Sequence, residues 1–97
     1  SGVTSAATHV IFYHIADSKE VIRLNASGQE IKNRLYTFRL HVINRKLGDS
    51  KSIENLLIQD VNYRLKLVWV DENSVSYKLS NGEKYTVDLL KYVPELF

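Results

Sequence analysis

The sequence predicts an all-β, mainly antiparallel domain of about six strands, a small sandwich or barrel, and three features of the chain predict it. Apolar and polar residues alternate with period two through its best-patterned segments, β-branched and aromatic residues crowd those segments, and turn-forming residues separate them at short intervals. At 97 residues the chain fits one core and not two, so residues 8–97 are expected to fold as a single β domain. With 44% hydrophobic and 25% charged residues its composition is globular, far from the polar, highly charged profile that keeps a segment disordered.

The elements follow in order. Residues 1–7, all small except Val3 and without periodicity, predict a flexible N-terminal tail. Residues 8–15 carry apolar side chains at both alternating parities, the pattern of a strand buried on two faces. Asp17-Ser18-Lys19 reads as a turn, residues 20–25 as a returning strand, and Asn25-Ala26-Ser27-Gly28 as the turn that ends it. The clearest long strand is residues 35–45, with Tyr36, Phe38, Leu40 and Val42 on one face and Thr37, Arg39 and His41 on the other. Residues 52–59 can be one amphipathic turn or a buried strand, and the spacing of Ile53, Leu56 and Leu57 favours a short helix. Residues 61–70 alternate again, with Val61, Tyr63, Leu65, Leu67 and Trp69 expected to face the core. After Asp71-Glu72-Asn73 the chain reads as two more strands, around Val75 and Tyr77 and around Tyr85 and Val87, hinged at Asn81-Gly82. Pro94 cannot donate to a ladder, so residues 93–97 are expected to be an irregular tail.

The same composition narrows the chemistry. There is no cysteine, which excludes a disulfide framework, a thiolate nucleophile and any cysteine-ligated metal. No apolar run approaches the roughly 20 residues that cross a bilayer as a helix. The chain begins Ser1-Gly2-Val3 and contains no Met, as expected of a piece of a longer protein. No nucleophile elbow, phosphate-cradling glycine loop or carboxylate pair stands out, so the expectation is a protein that is not an enzyme and uses no cofactor. His9 and His14 lie at an odd separation on one predicted strand and so on opposite faces, which argues against a shared metal, and His41 can reach either only through the fold. Asn25-Ala26-Ser27 matches the N-glycosylation acceptor, a match that seven asparagines make common by chance.

Net charge is +2, but residues 32–51 hold six basic side chains against one acidic, whereas residues 71–97 hold five acidic against three basic. If the Arg39 strand paired with the Arg64 strand, Arg39, His41, Arg64 and Lys66 would share an outward face beside Arg45 and Lys46, and these six are the candidate binding residues. Such a face could hold phosphates, yet the aromatic residues that stack bases in single-strand binders fall in the opposite register.

The stretch Val75-Ser76-Tyr77, Asn81-Gly82-Glu83-Lys84-Tyr85-Thr86-Val87 and Val93-Pro94 resembles the hairpin and exit of Tudor-type, SH3-like barrels over about a quarter of the chain. The small-residue loop pattern of that family is missing before the hairpin, so its methyl-ligand cage is not carried over, and Tyr77 and Tyr85 are expected in the core. The leading functional expectation is a non-enzymatic interaction module whose sheet face or edge engages another protein. Nucleic-acid binding through the basic face is the alternative, and a small-ligand barrel with a cavity among Phe12, Phe38, Leu65 and Trp69 is the third reading.

Overall fold

A computed structural model describes residues 3–5 and 8–97 and holds eight strands, β1 (Val3–Ser5), β2 (His9–Leu24), β3 (Glu30–Asn44), β4 (Ser50–Ser52), β5 (Ile58–Asp60), β6 (Leu67–Asp71), β7 (Ser74–Lys78) and β8 (Lys84–Asp88). A one-turn helix, α1 (Leu89–Tyr92), and a 3-10 turn, Pro94–Leu96, complete the chain. All strand pairs are antiparallel: β1, β2, β3, β4 and β5 form one sheet, in which β4 and β5 both pair with β3, and β6, β7 and β8 form a meander. The all-β expectation therefore holds, and the two sheets share no strand, so no closed barrel forms. Of the expected N-terminal tail, Val3–Ser5 lie along β2 as β1, and residues 1, 2, 6 and 7 are outside the described residues.

One buried cluster draws on both sheets. Ile11, Tyr13, Phe38, Leu40 and Val42 come from β2 and β3, and Leu67, Val75, Tyr77 and Val87 from the meander. Ile53, Ile58 and Leu65 enter from the connections, and Leu89, Val93 and Leu96 from the C-terminus. The alternation read for β7 and β8 places Val75, Tyr77 and Val87 inside, but Tyr85, expected in the core, is 42% exposed and stacks on Tyr77 at its margin. Gly82 at φ 91° turns the β7–β8 hairpin in the left-handed region that glycine enters without steric cost.

Four expectations are corrected. Asp17-Ser18-Lys19 is not a turn: β2 runs through it, with a bulge between Ile15 and Asp17. Asp17 Oδ1 accepts the Ser18 backbone N–H at 2.9 Å, so residues that look like a turn take up the extra residue of a bulge instead. No helix forms in residues 52–59. Nucleating a single turn is costly, and here the Ile53 N–H donates to Leu40 while β5 uses β3's free edge, burying Ile58 and leaving Leu57 exposed. The strand expected from residue 61 begins only at Leu67, and Val61 and Tyr63 are exposed. Asp60 Oδ1 accepts the Val61 N–H and Asn62 Oδ1 the Arg64 N–H, taking donors that a ladder would use.

The fourth correction is the C-terminus, which is not an irregular tail. Asp88 caps α1 by accepting the Leu90 N–H, and Pro94 opens the 3-10 turn, where a missing N–H does no harm. Leu89, Val93 and Leu96 fall at helical spacing and are buried together. The Leu96 carbonyl then accepts His9 Nε2–H and Asn44 Nδ2–H, each at 2.7 Å, and the Phe97 ring stacks 4.0 Å from that of His9. Those bonds fasten the chain end to the base of the β2–β3 hairpin.

That hairpin gives the molecule its length. Its Cα radius of gyration is 15.6 Å with extents of 54 × 22 × 20 Å, whereas a compact chain of about 100 residues would have a radius near 13 Å. No residue from position 14 to position 37 is buried, and from Lys19 and Leu35 to the tip β2 and β3 pair only with each other. Glu20 lies opposite Arg34, and Ile22 and Leu24, both exposed, lie opposite Lys32 and Glu30. At the tip Asn25 Oδ1 accepts the N–H groups of Ser27 and Gln29, and Gly28 takes φ 77°. Because the arm adds nothing to the core, replacing residues 19–35 by a two-residue Asn-Gly turn is expected to move the thermal midpoint by only a few degrees. A loss of cooperative unfolding, followed by circular dichroism, would show that the arm is needed for folding.

Candidate interaction face

Alternation along β2 and β3 sends His9, Ile11 and Tyr13 inward, so Val10, Phe12 and His14 point out. Their cross-strand partners Ile43, His41 and Arg39 share that outer face. All six are half-buried, and among the described residues no sheet or helix forms a second layer over them. A solvated face of an antiparallel sheet is ordinarily polar; this one carries valine, phenylalanine and isoleucine.

The centre of the face is an aromatic column. The Phe12 ring stacks on His41 at 4.8 Å and 11°, and the His14 ring meets His41 edge to edge, with centroids 4.6 Å apart and planes 30° apart. His41 Nε2 and His14 Nδ1 are 2.5 Å apart, so one ring nitrogen donates to the other. Burial holds His41 below the usual histidine range, helped by the neighbouring charges of His14 and Arg39 and opposed by Glu54. Glu54 in turn is held below the usual carboxylate range by the Ser52 hydroxyl, which donates to it at 2.6 Å, and by Arg39, whose Nη1 is 3.5 Å from Oε2. Both ends of that ion pair are well exposed, so its effect is local neutralisation more than stability.

The six candidate binding residues do not assemble. Arg39 and His41 lie on the outer face as expected, but β3 pairs with β2, β4 and β5, and Arg64 and Lys66 sit in the irregular stretch before β6. The Arg64 guanidinium carbon lies 5.4 Å from the Tyr63 ring centroid, and Tyr63 packs edge-on against Tyr36, which shares Phe38's side of β3, opposite Arg39. Arg45 and Lys46 occupy the exposed turn after β3, where Asn44 Oδ1 accepts the N–H groups of Lys46 and Leu47. Six residues of strand, about 20 Å, separate them from Arg39. The shared basic face inferred from sequence depended on a pairing that does not occur.

Other features have plainer roles. Phe12 points away from Phe38 and Leu65, so the cavity imagined among Phe12, Phe38, Leu65 and Trp69 has no common centre. A cleft of about 800 Å³ lies instead between residues 50–55 and the C-terminal helical turns, and its rim is crossed by the Lys51–Glu95 ion pair at 3.0 Å. His9 faces inward and His14 outward, as their odd separation requires, and among the described residues no three His, Asp or Glu side chains converge as a metal site. Val10, Phe12, His14, Ile43 and Glu54 were missing from the candidate set. The apolar side chains at both parities of residues 8–15 were the signal, but pairing register was needed to join them to His41.

Comparison of the chain with protein-family models, with curated proteins and with solved structures finds no match in any of the three.

Proposed function

We propose that this chain is a non-enzymatic interaction module that engages another protein through the outer face of β2 and β3, around Phe12, His41 and Ile43. One observation carries the reading: residues 8–15 have the composition of a strand covered on both faces, yet among the described residues the fold supplies cover on only one. Charge favours a protein over a nucleic acid as the partner. Arg39 is answered by Glu54, and the remaining candidate cations are scattered over other surfaces, so the face offers no row of basic groups to a phosphate backbone.

The test compares wild type with the double variant Phe12→Ser, Ile43→Ser as immobilised baits, with retained proteins quantified by mass spectrometry. Loss of central apolar anchors typically costs about 2 kcal/mol or more, roughly thirtyfold in affinity. The partner should therefore be depleted to that extent from the variant and retained by Arg64→Glu, Lys66→Glu. A partner retained equally by wild type and the Phe12, Ile43 variant would sink the assignment of the face. Oligonucleotide binding that falls steeply with salt and vanishes on reversal of Arg64 and Lys66 would replace it with nucleic-acid recognition.

A further inference from the structure

We infer that His14 and His41 form a proton-operated latch on the outer face, which keeps the Phe12–His41–His14 column closed while the pair carries at most one proton and opens it when the pair carries two. The inference rests on the proposed docking role for its purpose, because the latch sets the shape a partner would meet. Its chemistry is tested on the chain alone.

A neutral imidazole has one N–H and one lone pair, and an imidazolium has two N–H groups and no lone pair. The 2.5 Å approach of His41 Nε2 to His14 Nδ1 needs a donor and an acceptor. Two neutral rings satisfy it, as does one neutral and one charged ring, with a stronger, charge-assisted bond. Two charged rings set N–H against N–H and the contact must break. His41, the ring whose charge burial opposes, then swings toward water, and the column loses the ring that touches both Phe12 and His14.

Among the described residues, the charged groups around the pair come from three elements. On β3, Arg39 lies directly opposite His14. After β4, Glu54 approaches from the other side of Arg39, with Ser52 and Arg39 as its partners. On β2, Asp17 is the next charged residue along this face, with one oxygen taken by the Ser18 N–H. From β5 the face receives only the uncharged Gln59, which donates to Thr37. Lys51 belongs to the opposite side of β4 and pairs with Glu95. A second proton on the pair would thus enter between one imidazolium and one guanidinium, with the Glu54 carboxylate as the nearest compensation.

The sign of the stability effect follows. Burial and its cationic neighbours keep folded His41 below the ordinary histidine value, so the unfolded chain takes up that proton more readily. This contribution to stability is complete above the ordinary value of about 6.5 and is lost as pH falls below it toward the folded value.

The experiment is long-range ¹H–¹⁵N correlation of the imidazole rings of the isolated chain, from about pH 8 to about pH 4.5, on wild type, His14→Phe and His41→Phe. In wild type, the step at which His41 takes its proton should also move the His14 ring signals, and His41 should lose its ring-current shift from Phe12 at that step. The His14→Phe variant keeps a ring in the column but removes the partner nitrogen, so the linkage should vanish and the His41 midpoint should rise. His41→Phe should flatten the fall in thermal midpoint across this pH range, a readout that holds even if His14→Phe folds poorly. A His41 step that leaves the His14 ring signals unmoved in wild type, with the His41 midpoint the same in His14→Phe and its ring-current shift constant throughout, would overturn the latch and leave the docking face to its own test.

Discussion

Truncation of Phe38 to alanine is expected to cost about 3–5 kcal/mol, most of the stability a domain of this size commonly has. Phe38 is 1% exposed and sits where the two-sheet body gives way to the arm. It lies between Ile15 on β2 and Ile58 on β5, and the Tyr13 ring meets it edge-on at 5.3 Å and 80°. Tyr13 does not swing into the space, because its hydroxyl is held by the Leu65 N–H it accepts. The thermal midpoint should fall by more than about 12 °C. Phe12→Ala is the internal control, since the same side chain lies three cross-strand pairs away on the outer face. It loses only a stacking partner, about 1 kcal/mol. Urea denaturation of both variants decides the matter: near-equal losses would mean that the assignment of inner and outer faces is wrong.

The second large effect is expected at Asp60, the one acidic side chain buried among the described residues. Its carboxylate accepts the Ser80 backbone N–H at 2.9 Å, the Ser80 hydroxyl at 2.5 Å and the Val61 N–H at 2.8 Å. It thereby joins the end of β5, in one sheet, to the β7–β8 turn of the other. Hydrogen bonds to a charged acceptor contribute about 1.5–3 kcal/mol, and water can reach the freed donors on exposed Val61 and Ser80, so Asp60→Ala should cost about 2–3 kcal/mol. Asp60→Asn keeps one acceptor oxygen and should lose less. Combined with Ser80→Ala, Asp60→Ala should show a coupling above about 1 kcal/mol. Amide exchange at Ser80 and Gly82 should accelerate in Asp60→Ala more than exchange in β3. Additive effects, with no selective exposure of that turn, would reduce Asp60 to an isolated polar residue.

What the chain's own pattern revealed was greatest where turns are short and partners adjacent. Asn81-Gly82 and the alternation of β7 and β8 locate that hairpin, because register between neighbouring strands follows from loop length. Longer-range relations failed in a common way. Asp17-Ser18-Lys19 has the side chains of a turn, and the same local hydrogen-bonding ability serves a bulge once β3 is alongside to hold β2 extended. The alternation of residues 61–66 is real in the sequence, but Asp60 and Asn62 bind the backbone locally and, among the described residues, these positions pair with no strand.

The candidate face shows the same division. Arg39 and His41 could be chosen because an exposed charge and an imidazole on a strand are visible in one dimension. Phe12, Ile43 and Glu54 could not be added, since their relation to His41 depends on a register across two strands and a turn 27 residues apart in the chain for His14 and His41. By itself the sequence determined the class of the fold, the absence of cysteine chemistry, the Asn-Gly hairpin and the apolar character of both faces of β2. Only the tertiary structure decided that β2 continues past its bulge into a projecting arm, that the C-terminal turn seals the core, and that one face carrying apolar residues stays uncovered among the described residues. The physical reason is that side-chain patterning records how much burial each residue needs, whereas the identity of the covering surface depends on contacts between residues far apart in the chain.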